Sequence, residues 1–259
     1  MKRGFFELAS VLMLLPILGL VTLATAQQNS ASSANQIEPG ATDALEKMGA
    51  YLRSLKAFQV HSEGTSEAVL DDGQKVQFAQ TTNLVARVPD RLMAEIEGDQ
   101  GSKRYVYDGK TFTLFSPDDG YYGTLPAPPN LRQLFDMLSD KYGVDIPLVD
   151  LFLWGQKDNA PPKLTSGMDV GPGEVGGVSC EHYTFRQEGL DWQVWIQQGD
   201  FPLPRKLVLT TTTDDARPQH TAVLMWNLAP SYNEATFVFD PPAGTHKIVF
   251  KTTSADSGK

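Results

Sequence analysis

Leu45, Met48, Leu52 and Leu55 recur every three or four positions. The stretch opened by Thr42-Asp43-Ala44-Leu45-Glu46 therefore predicts an amphipathic helix that ends near Leu55, with Thr42 as its cap. After Lys56 the period of the pattern changes from helical to two. Phe58-Gln59-Val60-His61 begins a strand, Gly73 turns the chain, and a second strand runs from Val76 through Phe78, Leu84 and Ala86 to Val88. Pro89-Asp90 breaks that run, and Leu92, Ala94 and Ile96 alternate again. Arg104 to Tyr107, the turn Asp108-Gly109, and Thr111 to Phe115 predict a hairpin.

Helical spacing returns mid-chain. Asn130 to Tyr142 places Leu131, Leu134, Phe135 and Leu138 on one stripe, and Gly143 suits its stop. Pro147 precedes a second, short and very apolar helix, Leu148-Val149-Asp150-Leu151-Phe152-Leu153-Trp154. Strands resume at Glu181 to Gln187, Trp192 to Gln197, Arg205 to Thr212 and His220 to Leu228. The pattern amounts to about ten or eleven antiparallel strands, one helix before them and two inserted among them, which is an α+β plan. So many strands in one sheet must curl. His220 to Leu228 is apolar on both faces, as in a curved sheet wrapped around helices. The predicted architecture is an unclosed half-barrel with two lid helices.

Composition narrows the function. With 22 Lys and Arg against 31 Asp and Glu, the net charge is −9, which opposes sequence-independent nucleic-acid binding. A single cysteine rules out an internal disulfide and a Cys-rich metal site. At the N-terminus, basic Lys2 and Arg3, an apolar run from Leu8 to Leu23 and the small-x-small Ala24-Thr25-Ala26 read as a signal peptide, 1–26, cleaved between Ala26 and Gln27. The competing reading is a retained anchor, but the apolar core is short for a span and holds Pro16 and Gly19. Residues 27–39 are then expected to form a flexible leader, 40–250 a single domain and 251–259 a disordered tail of small polar residues. The mature protein is expected to be exported, without a stable membrane span.

Several segments resemble one family. They are Asp108-Gly109-Lys110-Thr111 through Leu114 and Pro117, Gly143-Val144-Asp145-Ile146-Pro147-Leu148-Val149-Asp150-Leu151, and Asp191-Trp192-Gln193-Val194-Trp195-Ile196. Pro202-Leu203-Pro204-Arg205-Lys206 and Phe237-Val238-Phe239-Asp240-Pro241-Pro242-Ala243-Gly244 complete the set. The family is a domain of unknown function in predicted bacterial periplasmic proteins. More distantly, the layout is similar to the lipoprotein carriers LolA and LolB. That resemblance implies an unclosed barrel of about eleven strands, covered by helices, around a cavity for acyl chains. The chain departs from LolA in its length and its mid-chain insert, and LolA's gating arginine has no assignable position here.

Catalytic chemistry finds little support in the pattern. His61, His182, His220 and His246 show no metal-ligand spacing, so no metal or cofactor is expected. Cys180 and His182 would share a strand face, which allows a nucleophile and base pair, yet a small buried thiol beside a rim histidine is the plainer reading. The pairs Asp71-Asp72, Asp118-Asp119 and Asp214-Asp215 sit at turn signals and read as solvated turn residues. The apolar positions carry more information. Phe78, Leu84, Leu92, Ile96, Phe112, Leu134, Leu138, Leu151, Phe152, Trp154 and Trp226 are either a plain core or the lining of a ligand cavity, and the redundancy of apolar bulk favours a cavity. The expected function is non-catalytic binding of a lipid or of lipoprotein acyl chains. A periplasmic sensor with an envelope protein partner is the alternative, and a hydrolase the more distant one. The tail makes a separate expectation: Phe237 and Phe239 lie on one strand face and are buried together, ahead of Pro241-Pro242.

Overall fold

A computed structural model describes residues 36–146, 148–153 and 163–253. The signal peptide, most of the leader, Trp154 and residues 254–259 lie outside the described residues. The first helix, α1 (Pro39–Ser54), starts earlier than its spacing suggests, because Pro39 takes the first helical position where its missing N–H costs nothing. Thr42 is therefore not the cap. It lies inside the helix, and its hydroxyl donates to the Pro39 carbonyl.

The strands follow as β1 (Ala57–Val69), β2 (Lys75–Arg87), β3 (Arg91–Gly98), β4 (Lys103–Tyr107), β5 (Thr111–Ser116) and β6 (Tyr121–Pro126). Beyond the helical insert come β7 (Leu164–Val175), β8 (Val178–Gln187), β9 (Leu190–Gln197), β10 (Pro204–Thr211), β11 (Gln219–Asn227) and β12 (His246–Ile248). They form one twelve-stranded sheet in the order β12-β6-β5-β4-β3-β2-β1-β11-β10-β9-β8-β7. Two meanders are thus joined where β1 pairs with β11, Val60 opposite Trp226. All pairs are antiparallel except β12 on β6, and the ends, β12 and β7, do not pair with each other. The sheet is unclosed, and the strand total exceeds the expected ten or eleven.

The strands without a sequence signal explain the excess. β7 contains Gly167, Gly171, Pro172 and Gly173 and is irregular near Asp169, so it breaks the alternation that marks a strand. β6 carries Tyr121 and Tyr122, so the aromatics from Tyr105 to Tyr122 occupy three strands. The hairpin at Asp108-Gly109 forms as its dipeptide predicts. Gly109 takes φ 87°, and the Asp108 carboxylate accepts the N–H groups of Lys110 and Thr111.

Opposed residues across the ladder share a face, so the register divides the sheet into an inner and an outer side. Inner residues of β1–β6 and β11 gather into one buried cluster with Leu131, Leu134, Phe135, Leu138, Ile146 and Leu151 of the insert. Inner residues of β8 and β9 gather into a second cluster with Ala41, Leu45, Met48 and Leu52 of α1. In the insert, α2 (Leu131–Met137) is capped by Asn130, whose side chain accepts the Gln133 N–H. It ends sooner than expected: Leu138–Tyr142 widens into a π-turn, stopped by left-handed Gly143. A four-residue α3 (Asp150–Leu153) follows.

The tail straps the sheet. Glu234–Phe237 is a 3-10 turn, not a strand, and its Asn233 and Thr236 form a reciprocal cap. Phe237 is fully buried, with the Arg87 guanidinium over its ring, whereas Phe239 is half-buried against Phe115 and Tyr122 of the outer face. The two phenylalanines are therefore not buried as a pair. The chain then rounds the β6 edge as β12, and Phe250 enters the inner cluster beside Phe112 and Tyr142. Gly123 makes room for it: a Cβ there would stand 2.6 Å from the Phe250 ring. Thr253 closes the strap by donating to the Lys141 carbonyl in the π-turn.

This arrangement makes truncation selective. A chain that ends at Asp240 loses β12 and Phe250, opens the β6 edge and should aggregate. One that ends at Lys251 keeps both and should stay monomeric, as read by light scattering during size-exclusion chromatography. Monomeric behaviour of the shorter chain, with unchanged thermal stability, would remove the strap from the fold's support.

Candidate functional site

The two inner clusters meet along a seam. Leu55, Leu207, Trp226 and Leu228 pack against both clusters and stay partly exposed. On the insert side, Phe152 of α3 lies 5.3 Å from Phe58 and 5.3 Å from Phe135, ring centre to ring centre. Phe58 in turn lies 5.5 Å from Trp226, whose indole N–H donates to the Pro204 carbonyl at 2.8 Å. A chain of aromatic contacts therefore runs from the insert to the centre of the sheet. The elements over it are short. A four-residue helix has few backbone hydrogen bonds of its own and depends on side-chain contact for its place.

Of the residues expected to line a cavity, Leu84, Leu92, Phe112, Leu134, Leu138 and Leu151 are buried members of the first cluster. Ile96, Phe152 and Trp226 are partly buried against it. Phe78 stands further along β2, half-buried and outside the cluster. The structure brings nine of them into one apolar mass, within which Leu84, Leu92, Leu134 and Leu138 are close-packed. Of the partly open members, Trp226 also packs against the second cluster and so belongs to the seam. Leu55, Leu207 and Leu228 were missed in the sequence, since the seam depends on where α1 and the insert stop on the sheet.

A separate cleft of about 340 Å³ opens at the far end of the second meander. Lys47, Asp169, Glu181, Tyr183, Gln198 and Pro202 are among its lining residues, and none of the expected cavity residues is. Its polar lining does not suit an acyl chain.

The titratable groups are placed as structural supports. Asp72 and Asp214 accept N–H groups within their own turns, Asp118 accepts the Ser102 N–H, and Asp119 accepts the Ser116 hydroxyl. Cys180 and His182 share the outer face but do not bond to each other. The thiol donates to the Val178 carbonyl, while His182 pairs with Gln193 and stacks on Trp195 at 3.8 Å. Burial pushes the Cys180 thiol above its usual pKa, against a smaller opposing effect of Arg205. On the inner face, Ser66 Oγ and His220 Nδ1 meet at 2.7 Å across β1 and β11, and burial holds His220 below the usual imidazole value. That contact joins residues 154 positions apart, beyond the reach of spacing rules. Among the described residues, no group of three His, Cys, Asp or Glu could hold a metal ion.

Residues 41–251 match the family of predicted periplasmic proteins DUF2092. The chain belongs to that family. No curated protein matches it. Among solved structures, it is similar to an uncharacterized conserved protein from Thermus thermophilus at 11% identity and a TM-score of 0.48, over 81% of this chain and 99% of that one. It is similar to the lipoprotein LppX of Mycobacterium tuberculosis at 12% identity and 0.42, over 75% and 98%. A LolA superfamily protein from Nitrosomonas europaea follows at 11% and 0.35, over 77% and 97%. In this DUF2092 chain, no helix among the described residues is long and apolar enough to cross a membrane.

The placement of Cys180 yields a direct test. A fully buried thiol with a raised pKa should react slowly with a small thiol reagent in the native protein and rapidly after unfolding. Cys180→Ala should fold with nearly unchanged thermal stability. Fast labelling of the native protein would instead mark Cys180 as a reactive group.

Proposed function

We propose that this protein is exported through a cleaved signal peptide, 1–26, and binds an apolar or amphipathic ligand non-catalytically in the periplasm. A lipid or the acyl chains of a lipoprotein are the ligand class. The observation that carries this reading is the seam: aromatic and aliphatic side chains, partly exposed, between two helical covers on the inner face of an unclosed sheet. Displacing α3 would free the Phe152 contacts with Phe58 and Phe135 and extend the seam into the first cluster, with Leu84, Leu92, Ile96, Phe112, Leu134, Leu138, Leu151 and Trp226 around the ligand. Phe78 and Trp154 belong to the same proposed lining.

Magnitudes favour such exchange. Burying about 14 methylenes at about 0.8 kcal/mol each supplies ~11 kcal/mol before the costs of ordering. Displacing one partly exposed aromatic from its neighbours costs about 2–3 kcal/mol. An apolar ligand of that size therefore outweighs the contacts it replaces, and it needs no charged specificity residue.

One observation favours the hydrolytic reading, the Ser66–His220 hydrogen bond on the inner face. A serine nucleophile needs a base that is itself oriented by a third group. Among the described residues no carboxylate bonds to His220, so binding without chemistry stands first.

Phe152→Asp tests the proposal. A carboxylate at the seam should reduce binding of a fluorescent fatty-acid probe at least about tenfold, because an ionised group resists burial with the chain. Far-UV circular dichroism should show the sheet intact. A folded variant that binds the probe as the wild type does would overturn the seam as the site.

A further inference from the structure

The outer face of β8–β11 carries a second feature. In a regular strand consecutive side chains alternate, so Arg205 and Lys206 would point to opposite sides of the sheet. Here the register between β10 and β9 shifts between Pro204 and Lys206. This bulge places both residues on the outer face. The Arg205 guanidinium donates through Nε and Nη2 to Gln197 Oε1, at 3.0 and 2.6 Å. The Lys206 ammonium lies 4.7 Å from the centre of the Trp195 ring. His182 stacks flat on the same indole, so the ammonium and the imidazole share one aromatic platform.

What the two cations lack is an anion. Among the described residues, neither Arg205 nor Lys206 forms an ion pair, whereas Arg87, Arg91, Arg104, Arg186 and Arg217 each meet a carboxylate. Arg205 is partly buried, and burial works against its charge. Holding a guanidinium there on a neutral amide alone is a cost without a structural return. Gln197 uses Nε and one Nη2 hydrogen, which leaves the Nη1/Nη2 edge of the fork free for a bidentate acceptor.

The surroundings are those of a protein contact. On the same face Met225 is 43% exposed and Met168 is 40% exposed. Tryptophan, arginine and methionine together are the residue types enriched where proteins meet. Beyond Val223, exposed Glu63 bounds the patch and lies 3.9 Å from His61. The whole chain carries a net charge of −9, which opposes docking on an anionic membrane. A second copy using the same surface would set cation against cation.

We infer that the Arg205–Lys206–Trp195–His182 face is a docking surface for an acidic segment of a partner protein, its carboxylates seated on the bulge-paired cations. This surface lies on the opposite side of the sheet from the seam and stands independently of the ligand proposed there.

The test uses the full mature chain and a fluorescein-labelled peptide of alternating Glu and Ser, followed by polarisation. The same peptide with Gln for Glu serves as the neutral control. Inorganic phosphate and phosphatidylglycerol vesicles serve as the other anion sources. The acidic peptide should bind in low salt and weaken as salt rises, with a change in indole emission that Trp195→Phe reduces. The double variant Arg205→Gln, Lys206→Gln should lose about tenfold in affinity. Lys206→Gln alone removes only the ammonium over the ring, and it decides the outcome if the double variant does not fold: weaker binding supports the site, and unchanged binding overturns it. Equal binding of the neutral peptide, unchanged affinity in the double variant, or vesicle or phosphate binding without peptide binding would each overturn the proposal.

Discussion

An open sheet with an apolar inner face cannot stand bare in water, and this protein's architecture is organised by the burial of that face. Twelve strands that do not close leave the inner side to be covered by something other than the sheet itself. Two unequal covers do this. The sixteen-residue α1 seals the second meander through Ala41, Leu45, Met48 and Leu52. The first meander depends on α2, a π-turn and the four-residue α3. Apolar bulk is thus held by a long rigid element on one side and by short ones on the other. The partly exposed seam between them follows from that inequality.

The edges present a second version of the same problem. At one end β12 pairs parallel to β6, and its chain continues inward so that Phe250 plugs the space left by Gly123. At the other end Gln36 and Glu38 exchange backbone hydrogen bonds with Gly167 of β7, and the Glu38 carboxylate accepts the Asp169 N–H. Both edges are thereby blunted by segments from near the chain's two ends. The strap does more than cover an edge. Phe250 touches Tyr142 and Thr253 bonds to Lys141, so it is tied to the π-turn that joins α2 to the rest of the insert. The insert and the strap therefore hold each other in place.

Much of the plan was legible in the sequence because its signals are local. Period-two alternation located β2, β3, β8 and β9, Asp108-Gly109 marked its hairpin, and Asn130 and Gly143 bracketed the α2 region. What escaped is non-local. β7 carries glycines and a proline that blur alternation, and its place is fixed by pairing with β8. The Phe237 turn looked like a strand because a Phe-x-Phe run alternates, yet the Asn233–Thr236 cap and the Arg87 contact hold it as a 3-10 turn. Met225 made β11 look apolar on both faces, but its side chain is exposed on the outer one. The apolar residues of the insert stand out by their helical spacing, whereas the seam members Leu55, Leu207 and Leu228 depend on the meeting of two covers that no window of sequence contains.

The outer and inner faces divide the work. The inner face gathers apolar surface, while the outer face presents Trp195 with Arg205 and Lys206 beside it, brought together by one bulge. A binder that holds an apolar ligand inside and meets an acidic partner outside would keep the two events on opposite sides of one sheet. The ligand proposed for the inner side is the more fundamental of the two. Native mass spectrometry of the protein purified from a periplasmic extract, without detergent, examines it most directly. Folded charge states should carry an added mass matching a fatty acid or phospholipid, released as that lipid on collisional activation. Folded protein that shows only its bare mass, from the extract and after incubation with phospholipid vesicles, would contradict it.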